Sequence, residues 1–261
     1  MKKYISCSMK LAAMAAIMIA TTAVKADDPD KTPTAISILK KFSEASGGAA
    51  KFKEIKAMKM TGNLEIAAAG INGTIEIIQQ SPNKIATKAE MDGVGSQSQG
   101  SNGEIGWELS TMMGPRLLDK KELVRLIEQA DLSRYYDPEN FYKEMKVDGM
   151  KEIDGEKCYK LVLTHKAGHK TTEFYSVKTG LQVASEATIP SPMGEMDIVT
   201  SINEYKEIGG LKFPAKIESK FPNGMSQVVS MDTIEINPKV DANAFAIPSE
   251  VQGLVDETKD K

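Results

Sequence analysis

The chain has 261 residues, of which 26% are charged, with a net charge of −3, two cysteines and two histidines. Residues 1–26 hold four lysines and no acidic residue, so residues 27–261 carry 29 basic and 36 acidic side chains, a net charge of −7. This acidic balance argues against nucleic acid or an anionic membrane surface as the main partner.

The first 26 residues have the pattern of a secretory signal peptide. Three lysines in residues 1–10 form a basic start, Leu11–Ala20 is an apolar core, and Val24–Ala26 offers a small-x-small cleavage pattern. The apolar core is too short to span a membrane as a helix. We therefore expect a mature chain that begins at Asp27 and is exported to the periplasm.

Two helices are predicted from capping residues and helical spacing. Thr34 can cap a helix through Ala45, which Gly47-Gly48 would end, and a short helical turn follows at residues 49–55. Asp119 can cap a second helix, whose apolar residues run to Ala130. Residues after Pro248 are charged, and the sequence predicts a disordered tail at 249–261.

Between these helices the sequence predicts strands, because apolar and β-branched residues alternate and turn residues separate the runs. The connections are too short for parallel crossovers, so the strands form an antiparallel meander. About eleven strands are expected: 57–69, 71–80, 84–91, 93–100, 104–110, 156–165, 170–177, 182–188, 195–206, 211–221 and 225–237.

A sheet of this length has to curl to bury one face. The prediction is a mainly β (α+β) fold, a half-barrel whose mouth the helices cover as a lid, in one domain at 27–248. Such a cavity suits apolar ligands, although the same residues could instead fill a solid core. The candidate lining residues are Leu64, Ile66, Ile75, Ile77, Met91, Trp107, Leu109, Leu161 and Leu163.

No catalytic or metal-binding motif is found in the sequence. Gly93-Val-Gly95-Ser96 lacks the spacing of a nucleophile elbow and the third glycine of a dinucleotide loop, and Walker A, His-Glu-x-x-His and Cys-x-x-Cys motifs are absent. His165 and His169 fall in a hairpin turn, and two ligands without a third make a poor metal site. We expect them to be exposed, and Cys158 to be a buried small hydrophobe.

Residues 34–248 resemble the LolA-like family of periplasmic lipoprotein carriers and outer-membrane lipoprotein-sorting proteins. The resemblance lies in the order of turn and strand motifs: Glu44–Gly48, Gln80–Lys84, Asn102–Trp107, Gly155–Lys160, Phe174–Leu181, Gly209–Pro214 and Asn237–Pro248. It implies a half-barrel with a helical lid that shields acyl chains. The family's cavity arginine is not carried over, since no arginine precedes Arg116.

Two functional hypotheses follow from the sequence. The first is a periplasmic carrier or binding protein for lipid or lipoprotein acyl chains, which would exchange its ligand with membrane-protein donors or acceptors. The second is a non-enzymatic envelope assembly or structural component that acts through protein–protein contacts. In both, the chain is a monomer that is not an enzyme and uses no cofactor and no metal.

Overall fold

The computed structural model describes residues 32–191 and 194–259, so the predicted signal peptide lies outside the described residues. Within them, thirteen strands form one antiparallel sheet. The strands are β1 (Ala57–Ile66), β2 (Ile71–Gln80), β3 (Lys84–Met91), β4 (Gly95–Ser101), β5 (Gly106–Ser110), β6 (Gly114–Leu117), β7 (Tyr142–Ile153), β8 (Glu156–His165), β9 (Lys170–Ser176), β10 (Gln182–Ser191), β11 (Gly194–Ile208), β12 (Leu211–Lys220) and β13 (Ser226–Ile236).

The strand order places β1 inside the sheet, between β2 and β13. From β1 the chain runs outward through β2–β6 to one edge. It then passes to the opposite edge at β7 and returns strand by strand to β13. Among the described residues β6 and β7 are the two edges, so the sheet is curled but not closed into a barrel. This confirms the predicted half-barrel.

Five α-helices lie in the described residues: α1 (Ala35–Ala45), α2 (Ala49–Lys53), α3 (Lys120–Glu128), α4 (Pro138–Phe141) and α5 (Ser249–Lys259). The predicted caps are present, since the Thr34 hydroxyl accepts from the Ser37 amide and Asp119 forms a capping box with Glu122. None of these helices has the length and apolarity that crossing a membrane requires.

The sequence prediction missed two strands and two helices. The edge strands β6 and β7 and the short helix α4 lie where the sequence predicted neither a strand nor a helix. The expected disorder at 249–261 is also wrong for residues 249–259, which form α5. Val251 and Val255 of this helix are buried, because their spacing of four places both side chains on one helical face.

The inner face of the sheet, which carries Leu161 and Leu163, packs against α1, α2 and the 3₁₀ turn Leu132–Tyr135. Aromatic rings hold this core together: Phe52 stacks on Tyr135 with ring centroids 3.9 Å apart. The buried members are Ala35, Ile38, Leu39, Phe42, Phe52, Ile55, Met58, Leu132, Tyr135, Phe141, Tyr142, Leu161, Leu163, Tyr175, Leu211, Phe213, Met231 and Ile234.

The end of α1 approaches the sheet closely at Gly47. This residue has φ +117°, and a Cβ added to it would lie 2.3 Å from the carbonyl oxygen of Gly210 in the β11–β12 turn. Only glycine fits this position without moving the backbone. The glycine that ends α1 therefore also fixes how the helix is seated on the inner face.

Candidate ligand-binding site

Helix α3 is attached to the first half of the sheet by apolar contacts. Leu126 on the helix and Ala130 just beyond it are buried against Ile85 of β3, with Ile77 and Leu118 at the margin of the cluster. This cluster is separate from the main core. The amphipathic sequence of α3 explains the arrangement, since an apolar stripe on a short helix is stable only when a neighbour covers it.

Polar contacts attach α3 to the second half of the sheet. The Arg125 guanidinium donates a hydrogen bond to the carbonyl oxygen of Thr188 in β10. Glu128 Oε2 lies 3.1 Å from His165 Nδ1 and 3.1 Å from His169 Nε2, at the β8–β9 turn. Helix α3 therefore connects the two halves of the sheet as a lid, with apolar contacts on one side of the helix and polar contacts on the other.

A cavity of about 780 Å³ opens beneath α3, between the helix, the β8–β9 turn and the end of the β10–β11 hairpin. We call it the α3 cavity. Apolar and cationic side chains line it together, with a single carboxylate. The lining residues are Lys120, Lys121, Val124, Arg125, Ala167, Gly168, His169, Pro190 and Glu195.

His165 is buried and His169 is half-buried, where the sequence predicted exposed turn residues. The side chain of His165 is 9% exposed and that of His169 is 12% exposed, and their rings stack with centroids 4.0 Å apart. Burial alone would raise the pKa of the Glu128 carboxyl, but the contacts with the two imidazoles outweigh it and lower the pKa to about 2. Glu128 is thus an anion held against two imidazoles.

A second charged group lies inside the half-barrel, on the 3₁₀ turn before α4. Arg134 Nη2 donates to the Tyr135 hydroxyl over 2.9 Å. Burial by itself would lower the pKa of Arg134, but Tyr135, Tyr142 and the carboxylate of Glu173 together raise it. The interior of the half-barrel therefore contains a permanent cation and is not purely apolar.

Seven of the nine predicted lining residues share the inner face, because directly opposed residues of neighbouring strands point to the same side of a sheet. Within this set Leu161 and Leu163 are fully buried in the main core, and none of the set lines the α3 cavity. The seven are Leu64, Ile66, Ile75, Ile77, Met91, Leu161 and Leu163.

Trp107 and Leu109 lie on the opposite, outer face. The cross-strand partners of Ile77, followed through β3 and β4, lead to Glu108 in β5, which therefore shares the inner face. Trp107 and Leu109 flank Glu108 and point the other way. Helix α5 packs on β5 and β6, and Trp107 is buried. The expectation that these two residues line the inside of the half-barrel is corrected by this register.

Sequence reasoning missed the residues that give the α3 cavity its charge. Lys120, Lys121 and Arg125 are ordinary members of a polar helix, and nothing in their spacing indicates which part of the sheet they meet. The available signal was the capping pattern Asp119-x-x-Glu122, which fixes where the helix begins and so which residues share a face.

The fold matches solved structures at low sequence identity. A LolA superfamily protein from Nitrosomonas europaea is 15% identical with a TM-score of 0.56, over 83% of this chain and 99% of that chain. A DUF1329 family protein from Desulfovibrio piger is 11% identical with a TM-score of 0.54, over 82% and 98%. An outer membrane lipoprotein-sorting domain from Vibrio parahaemolyticus is 8% identical with a TM-score of 0.50, over 80% and 97%.

No protein-family model matches the chain, and no curated protein matches it. Identities this low establish the fold alone. The chain has a LolA-like fold, which confirms the resemblance predicted from the turn and strand motifs.

Proposed function

We propose that this chain is an exported, non-enzymatic carrier that shelters the acyl chains of a lipid or lipoprotein in its half-barrel. The observation that carries the proposal is the α3 cavity, whose 780 Å³ lies within the range of small-molecule sites. It lies under a helix that the main core does not include, so a ligand can enter by displacing α3 without disturbing the rest of the fold.

The lining of the α3 cavity suits an amphiphile with an anionic head. Val124, Ala167 and Pro190 provide apolar surface for hydrocarbon, while Lys120, Lys121 and Arg125 provide positive charge. A cationic rim beside an apolar wall favours a ligand that is negative at one end and apolar at the other.

Two further observations support a periplasmic carrier. The sequence of residues 1–26 has the pattern of a signal peptide, and the fold is shared with proteins described as LolA superfamily and lipoprotein-sorting. The sequence also lacks the motifs of the common hydrolases and nucleotide-binding enzymes, which is why we propose a binding protein.

A matched pair of variants tests the proposal. Val124→Glu places a carboxylate in the α3 cavity, whereas Val199→Glu makes the same change on a strand of the sheet at a residue that is 43% exposed. We expect Val124→Glu to weaken binding of a fluorescent fatty-acid probe at least tenfold, because the added carboxylate offsets the positive charge of Lys121 and Arg125 that attracts the head of the probe. Val199→Glu should bind the probe as the unchanged protein does.

Native mass spectrometry of the purified protein provides the second measurement. A co-purifying lipid that is lost in Val124→Glu supports the carrier. A lipid-free mass, no probe uptake and a tight protein partner would instead favour the envelope assembly component. Equal probe binding by both variants would place the ligand away from the α3 cavity and overturn the proposed site.

A further inference from the structure

Glu128, His165 and His169 form a three-residue cluster that joins two separate elements. Glu128 is the last residue of α3, His165 is the last of β8, and His169 precedes β9. The ligand atoms of the three side chains lie within 4.8 Å of one another. The structure thus supplies the third ligand that the two histidines lack in the sequence.

The hydrogen bonds around His165 leave one of its ring nitrogens facing this cluster. Thr171 Oγ1 donates its proton to Glu173 Oε1 over 3.3 Å, so at 3.2 Å it can only accept from His165 Nε2. This network assigns the proton of the neutral ring to Nε2 and leaves a lone pair on Nδ1. A threonine and a carboxylate behind an imidazole are the kind of support that orients a metal-ligating histidine.

The lone pair on Nδ1 is buried beside a carboxylate. Nδ1 has no hydrogen-bond partner among the described residues, although Glu128 Oε2 lies 3.1 Å away. A carboxylate and an imidazole nitrogen at this distance are held together by a positive charge between them, which is either a proton on Nδ1 or a metal ion. A cation on the Nδ1 lone pair would satisfy both.

The donor set selects the kind of cation. Two imidazole nitrogens and one carboxylate oxygen suit zinc and similar borderline-soft divalent ions, and suit magnesium or calcium poorly. In a tetrahedral zinc site the ligand atoms lie roughly 3.3 Å apart, as follows from bonds of about 2.0–2.1 Å. The two 3.1 Å separations to Glu128 Oε2 are close to that value, and the two imidazole nitrogens, which lie within 4.8 Å of each other, would move together on binding the ion.

We propose that Glu128, His165 and His169 bind a zinc-class divalent ion that fastens α3 to the β8–β9 turn. His169 also lines the α3 cavity, so the fourth coordination position is open to that cavity. The ion adds two positive charges beside one carboxylate. Binding would therefore hold the lid closed and increase the positive charge at the rim of the α3 cavity.

The test uses the chain of residues 27–261 without a histidine tag, stripped of metal by a chelator and then dialysed. Since the sequence has only two histidines, no other imidazole competes. We expect ZnCl₂ to raise the melting temperature saturably, and calorimetry to give one ion per chain, while MgCl₂ has no effect. Bound Co²⁺ should show the visible absorption of a tetrahedral nitrogen and oxygen site.

Two conservative variants keep the test independent of folding. His169→Gln and Glu128→Gln retain the size of the side chains near the cavity mouth, and each should weaken Zn²⁺ binding at least tenfold. Cys158→Ala, which removes the one thiol of residues 27–261, should leave the affinity unchanged. Absence of Zn²⁺ binding, or binding of equal affinity in the glutamine variants, would overturn the proposal. Because the titration contains no lipid, its outcome is separate from that of the carrier proposal.

Discussion

Replacing Leu126 by alanine should release helix α3 while leaving the sheet folded. Leu126 is 3% exposed and belongs to a cluster with only two other buried residues, Ile85 and Ala130. Loss of a buried leucine side chain costs about 2–5 kcal/mol, and a small cluster that can relax favours the lower end, about 2–3 kcal/mol. If α3 opens as its own unit, this cost lowers the free energy of that opening, and it lowers the free energy of global unfolding by the same amount, because the contact of Leu126 is absent in both open states.

Native-state hydrogen exchange measures that opening directly. A change of 2–3 kcal/mol lowers the protection of the α3 amides by roughly 30- to 160-fold, at 1.36 kcal/mol per tenfold. The amides of β1 and β13 exchange through global unfolding, so their protection should fall by a similar factor but remain higher than that of the α3 amides. Uptake of the fatty-acid probe should become faster, because the lid is open for a larger fraction of the time.

Leu39→Ala is the matched control, since Leu39 is 2% exposed and belongs to the main core. It should lower the melting temperature and the protection of β1 and β13, but leave the exchange of the α3 amides unchanged, because Leu39 stays buried when only α3 opens. If Leu39→Ala instead lowers the protection of α3 and of the sheet by the same factor, then α3 belongs to one cooperative core. The description of α3 as a lid would then be wrong.

Two other features lead to direct tests. Burial of Cys158, with a smaller contribution from Glu156, raises the pKa of its thiol to about 11, so at pH 8 a thiol reagent should label it slowly until urea is added. Since this pKa lies above that of a thiol in the unfolded chain, the free energy of unfolding should fall as pH rises from about 9 toward 11. The free energy of unfolding of Cys158→Ala should not show this fall. Fast native labelling would contradict the buried position. Truncation after Pro248 removes α5. The fluorescence emission maximum of Trp107, the sole tryptophan, should then shift to longer wavelength, because water reaches its ring. An unchanged emission maximum would mean that α5 does not cover Trp107.

The meander could be predicted because its turns are local. Glycines at Gly155, Gly168 and Gly180 have positive φ, and each separates two runs of alternating residues. The two missed strands lack this local signal of alternating residues. Strand β7 is an edge strand with charged residues along most of its length, so its alternation is weak. Strand β6 has four residues, which is too short for a period of two to stand out.

The candidate site was less predictable than the fold, because it depends on contacts between distant parts of the chain. No local pattern shows that Glu128 meets His165, since the two lie on different elements and the distance between them is set by how α3 crosses the sheet. The face of the sheet on which Trp107 lies depends on the pairing register between neighbouring strands. A shift of one residue in that register turns every side chain of the strand to the opposite face. The charged composition of residues 249–261 led to the prediction of a disordered tail, although Val251 and Val255 have the spacing of a helix.

The pairing of β1 with β13 has a consequence for how the chain reaches its native state. The hydroxyls of Thr61 and Thr233 meet at 2.7 Å across these strands, although 172 positions separate them in sequence. Each half of the meander can form from neighbouring strands, but the two halves join only when the final strand is in place. Closing so large a loop is slow, because the chain loses conformational entropy before the contacts between β1 and β13 can compensate for it. A chain that has not yet been synthesised as far as β13 therefore lacks the strand that joins the two halves, so the complete sheet can form only near the end of synthesis.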